Sequence, residues 1–124
     1  MLAQSFVEDV TNRWIAAWDG RDLDIILSHY ADGIELTSPI AAALLGDPSG
    51  TVRGKQALRE YFSRGLARYP DLHFIAERLY VGAGSFVLQF RRPDGMTGAE
   101  FMELDGSGKI VRVVAHYSGM PVTN

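Results

Sequence analysis

The sequence predicts an α+β fold, in which helices come first along the chain and strands follow. Apolar residues with helical spacing dominate the first 70 residues, whereas alternating apolar residues with glycine-rich breaks dominate the remainder. The breaks at residues 82–84, 93–95 and 105–108 are short, so consecutive strands are expected to pair as an antiparallel meander. The chain has 124 residues and no linker or repeat, which predicts a single domain over residues 1–124.

The first helix has the clearest periodicity in the chain. Its apolar face is expected to consist of residues that recur every four positions, namely Phe6, Val10, Trp14 and Trp18. Gly20 is expected to end this helix as its C-cap, because glycine adopts the left-handed backbone conformation without steric cost.

A short second helix and a strand are expected to follow. Asp22 can cap the helix by accepting a hydrogen bond from a free backbone N–H, and its buried stripe is expected to include Ile26 and Tyr30. Residues 34–38 then alternate in the manner of a strand, which ends at Ser38 before a proline.

The remaining elements follow a long connection. Residues 40–45 are all apolar and are expected to form a loop, followed by turn-forming residues 46–50. A third helix is expected from near Lys55 to just before Pro70. Four strands are expected at about residues 72–81, 86–91, 99–104 and 110–117.

Composition and spacing exclude several kinds of site. The net charge is −3 and Arg91–Arg92 is the only adjacent basic pair, so no nucleic-acid partner is expected. The chain has no cysteine, and His29, His73 and His116 lie on separate elements, so no metal site is expected. No signal peptide and no apolar stretch of roughly 20 residues is present, which predicts a cytoplasmic protein without a membrane partner.

Three segments resemble the nuclear-transport-factor-2-like superfamily: residues 13–39, residues 54–62 (GKQALREYF) and residues 105–110 (DGSGKI). Within that superfamily the similarity is to ketosteroid isomerases and SnoaL-like polyketide cyclases. The resemblance implies a cone-shaped α+β barrel, or cystatin-like roll, in which a curved antiparallel sheet wraps around three helices and encloses an apolar cavity. It also implies a homodimer formed through the outer sheet face and a protein that needs no cofactor.

The catalytic residues of the ketosteroid isomerases are largely replaced. The resemblance places Trp14 at the position of the catalytic tyrosine, Ser38 at that of the general-base aspartate, and Glu100 at that of the protonated aspartic acid. A serine hydroxyl has a pKa far above neutral, so it cannot replace a carboxylate that removes a proton from carbon. Ketosteroid isomerisation by the family mechanism is therefore not expected.

Glu100 is the candidate catalytic residue. Strand alternation puts Glu100 and Met102 on one face, and the resemblance makes that the cavity face. Apolar surroundings disfavour an ionised carboxylate, so Glu100 could act as a general acid or proton shuttle; alternatively, it pairs with an arginine or lies in water at the cavity mouth. The expected ligand-binding residues are Trp14, Trp18, Tyr30, Ser38, Phe62, Phe86, Leu88, Met102, Val113 and Tyr117.

Several of these positions carry two interpretations. Trp14 and Tyr30 could donate hydrogen bonds to a ligand, although aromatic residues at helical spacing are typical of an ordinary core. Ser38 could bind a ligand or bond to its own backbone. Residues 40–45 could form a lid or part of a dimer interface, and His116 is expected on the outer face of the sheet.

The sequence therefore predicts a protein that binds a small apolar molecule, carbonyl-containing or polycyclic, in an internal cavity. One hypothesis is a cofactor-free isomerase, cyclase or dehydratase with Glu100 as the acid–base group. The other is a non-catalytic module for ligand binding or dimerisation. A buried Glu100 with a raised pKa favours the enzyme, and an ordinarily ionised one favours the module.

Overall fold

The computed structural model describes residues 1–119, which form four helices and one six-stranded sheet. The helices are Gln4–Gly20 (α1), Leu23–Leu27 (α2), Pro39–Leu45 (α3) and Lys55–Arg68 (α4). The strands are Tyr30–Thr37 (β1), Thr51–Arg53 (β2), Ile75–Val81 (β3), Ser85–Arg91 (β4), Thr97–Leu104 (β5) and Ile110–Ser118 (β6). The α+β class is confirmed, with α3 and β2 added to the expected elements.

The sheet has the strand order β2-β1-β6-β5-β4-β3. Strands β3 to β6 form the expected antiparallel meander, whereas β1 pairs in parallel with β6 and antiparallel with β2. The end strands β2 and β3 do not pair with each other, so the sheet stays open. Register shifts at residues 76–78 and 103–104 bend the strands and help to curve the sheet around the helices.

Helix α1 buries one aromatic side but differs from expectation at both ends. Phe6 is 39% exposed, whereas Val7 beside it is fully buried. A strict four-residue repeat drifts around a helix of 3.6 residues per turn, and over the twelve residues to Trp18 the drift reaches about 120°. The C-cap is Arg21 rather than Gly20: Arg21 has a φ of 57° and donates its backbone N–H to Trp18 O at 3.0 Å.

Helix α2 is capped as expected, but the strand after it begins earlier. The Asp22 carboxylate accepts the backbone N–H of Asp24 at 2.9 Å. Tyr30, expected on the stripe of this helix, is instead the first residue of β1 and is buried. Its pairing with Ile110 draws the segment into the sheet, a long-range contact that local periodicity does not show.

Residues 40–45 are helical, which corrects the expectation of a loop. Ser38 Oγ accepts the backbone N–H of Ile40 at 3.1 Å, and Pro39 occupies the first helical position, where its missing N–H carries no penalty. Gly46 ends the helix in the left-handed conformation, with a φ of 65°. Six consecutive apolar residues have no polar face, so the helical period was invisible in the sequence.

Candidate active site

An aromatic cavity lies between the helices and the inner face of the sheet. Its wall is formed by Trp14, Trp18, Tyr30, Leu36, Ser38, Ile40, Tyr61, Phe62, Gly65, Tyr69, Leu72, Phe74, Arg92, Glu100 and Tyr117. The space open to the centre of a water-sized sphere is about 50 Å³. An apolar cavity of about 150 Å³ accommodates benzene. In this conformation the cavity therefore suits a compact molecule, or one that extends through the mouth at the partly exposed Gly65, Tyr69 and Leu72.

The rings of the wall are packed closely against each other. The Trp18 ring meets Phe62 edge-on at 4.6 Å between centroids, and the Trp14 ring lies 4.9 Å from that of Phe74. Trp14 Nε1 donates a hydrogen bond to Tyr30 Oη at 2.9 Å, so its N–H is used within the wall. The Tyr30 hydroxyl keeps its own proton for another acceptor, and burial raises its pKa, which keeps it a neutral donor.

Glu100 lies on the inner face of β5, paired across the sheet with Leu88 and Ala115. It is 8% exposed, and its Oε2 has no hydrogen-bond partner. Burial raises the pKa of Glu100 from 4.5 to about 7, although the positive charge of Arg92 opposes the rise. The carboxyl group can therefore hold or release a proton near neutral pH.

Arg92 lines the cavity but was not predicted from the sequence. Its side chain is 4% exposed, and Nη2 bonds to Asp94 Oδ2 at 2.9 Å. A signal was present: Phe86, Leu88 and Phe90 alternate inward along β4, and continuing that alternation by two residues reaches Arg92. In the sequence, the adjacent arginines were weighed only as a possible signal of nucleic-acid binding.

The structure brings together seven of the eleven expected site residues. Lining the cavity are Trp14, Trp18, Tyr30, Ser38, Phe62, Glu100 and Tyr117. Four others, at most 2% exposed, belong to the closed core rather than to the cavity wall: Phe86, Leu88, Met102 and Val113. Phe86, Met102 and Val113 form one cross-strand row, deeper along the strands than Glu100. Strand alternation correctly placed these four side chains on the inner face of the sheet, but it does not show how far along each strand the cavity extends.

Ser38 and Tyr61 lie together at the end of the cavity near α3. Because Ser38 Oγ already caps α3, the interpretation in which it bonds to its own backbone is the one observed. Burial raises the pKa of Tyr61 to about 12, so its hydroxyl is neutral at physiological pH. This end of the cavity therefore holds two neutral hydroxyls and no base.

The three histidines lie outside the cavity wall. His116 is exposed on the outer face of β6, and His73 Nδ1 lies 2.6 Å from Asp19 Oδ1 at the protein surface. Within residues 1–119, no cluster of three acidic, histidine or cysteine side chains could hold a metal ion. In the same part of the chain, every helix is too short or too polar to cross a membrane.

Comparison with known proteins identifies the family. The family model of the SnoaL-like domain matches residues 11–117. A SnoaL-like protein of unknown function from Burkholderia thailandensis is 36% identical; the match covers 96% of this chain and 100% of that one, with a TM-score of 0.88.

More distant structures share the fold. A SnoaL-like family protein from Agrobacterium tumefaciens is 17% identical, with a TM-score of 0.74 over 94% of this chain and 100% of that one. TerC, co-crystallised with polyporic acid, is 15% identical, with a TM-score of 0.73 over 89% of each chain. No curated protein matches the chain. The chain belongs to the SnoaL-like branch of the nuclear-transport-factor-2-like superfamily, as its three sequence segments implied.

Proposed function

We propose that this protein binds a small apolar carbonyl compound in its aromatic cavity and catalyses a cofactor-free isomerisation, cyclisation or dehydration. The observation that supports this function is Glu100, a carboxyl group with an unpartnered oxygen inside a mostly apolar wall. Catalytic acids and bases work best when their pKa lies near the working pH, which is the range to which burial moves Glu100.

The neighbouring groups suit proton transfer beside a carbonyl. Glu100 would remove a proton from carbon when ionised and return it to another atom of the substrate when protonated. The Tyr30 hydroxyl, fixed by the bond that it accepts from Trp14, would donate to the carbonyl oxygen on which negative charge develops. The aromatic wall would exclude water, which strengthens both interactions.

A ligand screen combined with mass analysis tests this function. A compound present at 100 times its dissociation constant should raise the free energy of unfolding by about 2.7 kcal/mol, a clear thermal shift in a domain of this size. Small apolar ketones, steroids and polyketide-like aromatics would be screened, and each stabilising compound would be recovered and weighed by mass spectrometry. We expect at least one to return chemically changed.

The Glu100→Gln variant is the control for that screen. It keeps the size of the side chain but cannot exchange a proton, so we expect it to bind the same compound and leave it unchanged. Conversion by the variant at the wild-type rate would rule out the acid–base role of Glu100. Stabilisation without conversion by the wild-type protein would favour a non-catalytic module.

The dimerisation alternative has its own supporting observation on the outer face of the sheet. Four side chains form one cross-strand row there: Tyr80, Val87, Phe101 and Val114. Tyr80 is 50% exposed and the other three are partly exposed. A continuous apolar row on a sheet surface is typical of a surface that a partner covers, here a second copy of the chain.

We expect Phe101→Glu to convert a dimer into a monomer, because a charge would be buried at the centre of that row. Sedimentation velocity at micromolar concentration measures the change. Ile25→Glu adds the same charge at a 53% exposed position of α2 and should leave the assembly intact. A monomeric wild-type protein would contradict the proposal for this face.

A further inference from the structure

Arg92 introduces a positive charge into a cavity whose wall is mostly aromatic and aliphatic. It follows the last residue of β4 and continues the inward alternation of that strand, so its side chain enters the core at 4% exposure. A buried guanidinium is costly unless its N–H groups are bonded and its charge is balanced. The partners of Arg92 therefore indicate what the site is built to hold.

Arg92 is held firmly in one orientation. Its Nη2 bonds to Asp94, whose other oxygen accepts the backbone N–H of Met96 at 3.1 Å, so the carboxylate is itself fixed by the turn after β4. The guanidinium carbon lies 4.5 Å from the ring centroid of Tyr69 and 5.7 Å from that of Tyr117. Cation–π contacts of this kind stabilise a desolvated arginine but use none of its donors. Nε remains buried without a hydrogen-bond partner.

Glu100 presents the complementary unpartnered atom. Its Oε2 is buried and unbonded, and the ion pair of Arg92 is with Asp94 rather than with Glu100. A cationic donor and a carboxyl oxygen thus lie on one cavity wall without satisfying each other. Buried polar groups are almost always hydrogen-bonded, so a ligand in the cavity that both residues line is expected to supply the missing partners.

We propose that the cavity selects a small apolar molecule with an acidic oxygen, such as a carboxylic acid or an enol, which accepts a hydrogen bond from Arg92 and shares a proton with Glu100. This inference rests on the proposed function, since it names the substrate class of the same cavity. Asp94 already balances the charge of Arg92, so the atom of Arg92 that a ligand can satisfy is the unpartnered Nε–H donor. An anionic oxygen accepts a stronger hydrogen bond from a guanidinium than a neutral oxygen does.

Binding of such an anion is coupled to the uptake of a proton. An anionic ligand and an ionised Glu100 would repel each other, so the complex takes up one proton, which Glu100 and the acidic oxygen of the ligand share. The other groups that face this position are Tyr30, Tyr61, Tyr69, Tyr117 and Arg92, with Asp94 behind Arg92. Burial raises the pKa of the Tyr30, Tyr61 and Tyr117 hydroxyls, so these three stay neutral between pH 6 and 8.

The test compares acids with their matched amides. Isobutanoate and isobutanamide, and benzoate and benzamide, have nearly the same shape and differ in charge. We expect isothermal titration calorimetry at pH 6 to show each acid binding at least about tenfold more tightly than its amide. Between pH 6 and 8 the affinity for the acids should fall about tenfold, because Glu100 loses its proton in that range. Affinity for the amides should not change.

Three variants separate the contributions of Arg92 and Glu100 to the binding of acids. Arg92→Gln should abolish the preference for the acid, whereas Arg91→Gln, which removes an exposed charge one residue away, should keep it. Glu100→Gln should keep the preference and lose the dependence on pH. The Glu100 variant leaves the Arg92 packing intact, so it remains informative if Arg92→Gln fails to fold.

Two results would overturn this inference. The first is equal affinity for acid and amide at pH 6; the second is a preference for acids that survives Arg92→Gln in the folded variant. Binding of the amides alone would overturn the acidic-oxygen inference and leave the carbonyl-binding function standing. Failure of every compound in the wider screen to stabilise the protein would count against the proposed function as well.

Discussion

The free energy of unfolding is expected to fall by about 3 kcal/mol between pH 4.5 and pH 7 because of Glu100 alone. Burial raises the pKa of Glu100 from 4.5 to about 7 in the folded protein, with Arg92 opposing part of the rise. The folded state therefore binds the Glu100 proton more tightly than the unfolded chain. The associated stability is fully present below the unfolded pKa, is lost as the pH rises to the folded pKa, and stays lost above it.

Urea denaturation at half-unit steps from pH 5 to 8 measures this contribution, by comparison of wild type with Glu100→Gln. Glutamine does not ionise, so the variant should lack this decline, and the difference between the two proteins removes the contribution of other titrating groups. Glu103→Gln, on the opposite face of the same strand, should retain the wild-type profile. Identical profiles for wild type and Glu100→Gln would contradict the buried, proton-binding carboxyl on which the catalytic proposal depends.

Phe90→Ala is expected to destabilise the protein by about 3–5 kcal/mol, the cost of removing a fully buried aromatic ring and leaving a cavity. Phe90 is 0% exposed, and its ring meets Phe74 edge-on at 4.9 Å and Tyr117 at 5.8 Å. The ring lies directly over Gly98, where a Cβ atom would come within 2.6 Å of Phe90 Cζ. Gly98, the residue paired with Phe90, therefore has no side chain to fill the space that the ring would leave.

Denaturant titration compares this variant with Phe6→Ala, which removes the same ring from a 39% exposed position on α1 and should cost far less. A second comparison uses the glycine below the ring. Gly98→Ala should be better tolerated when Phe90 is also alanine than when the ring is present, since the ring is the nearest obstacle. A loss below about 1 kcal/mol for Phe90→Ala would show that this part of the core collapses around the deletion.

Local sequence pattern predicted the α+β class and most of the helices and strands, because the signals for each of them lie within its own residues. Asp22 caps α2 as expected, and the alternation of Phe86, Leu88 and Phe90 correctly identified the inner face of β4. Helix α3 was missed because its apolar run has no polar side, although the Ser38–Pro39 pair is a common helix start. Strand β2 and the early start of β1 depend on pairing with distant strands, which local pattern does not report.

The candidate site was predicted in part, for a related reason. Alternation tells which way a side chain points, so Glu100 and Tyr117 were placed on the cavity side. Alternation does not tell which part of a strand faces the cavity and which part is covered by the packed core. Met102 and Val113 were therefore assigned to the cavity wall, although they lie in the core. Arg92 was overlooked because charged residues are usually exposed; its burial is made tolerable by its partners Asp94, Tyr69 and Tyr117.

The parallel pairing of β1 with β6 has a consequence for how the protein is made. Tyr30 pairs with Ile110, 80 residues later, so this contact waits until nearly the whole described chain has left the ribosome. Until then Trp14 and Trp18 have no complete sheet to cover them, and exposed apolar surface of this kind is prone to aggregation. Contacts of such long range also slow folding. A ligand that contacts both Tyr30 and Glu100 can therefore bind only after β5 and β6 have been synthesised and the sheet has formed.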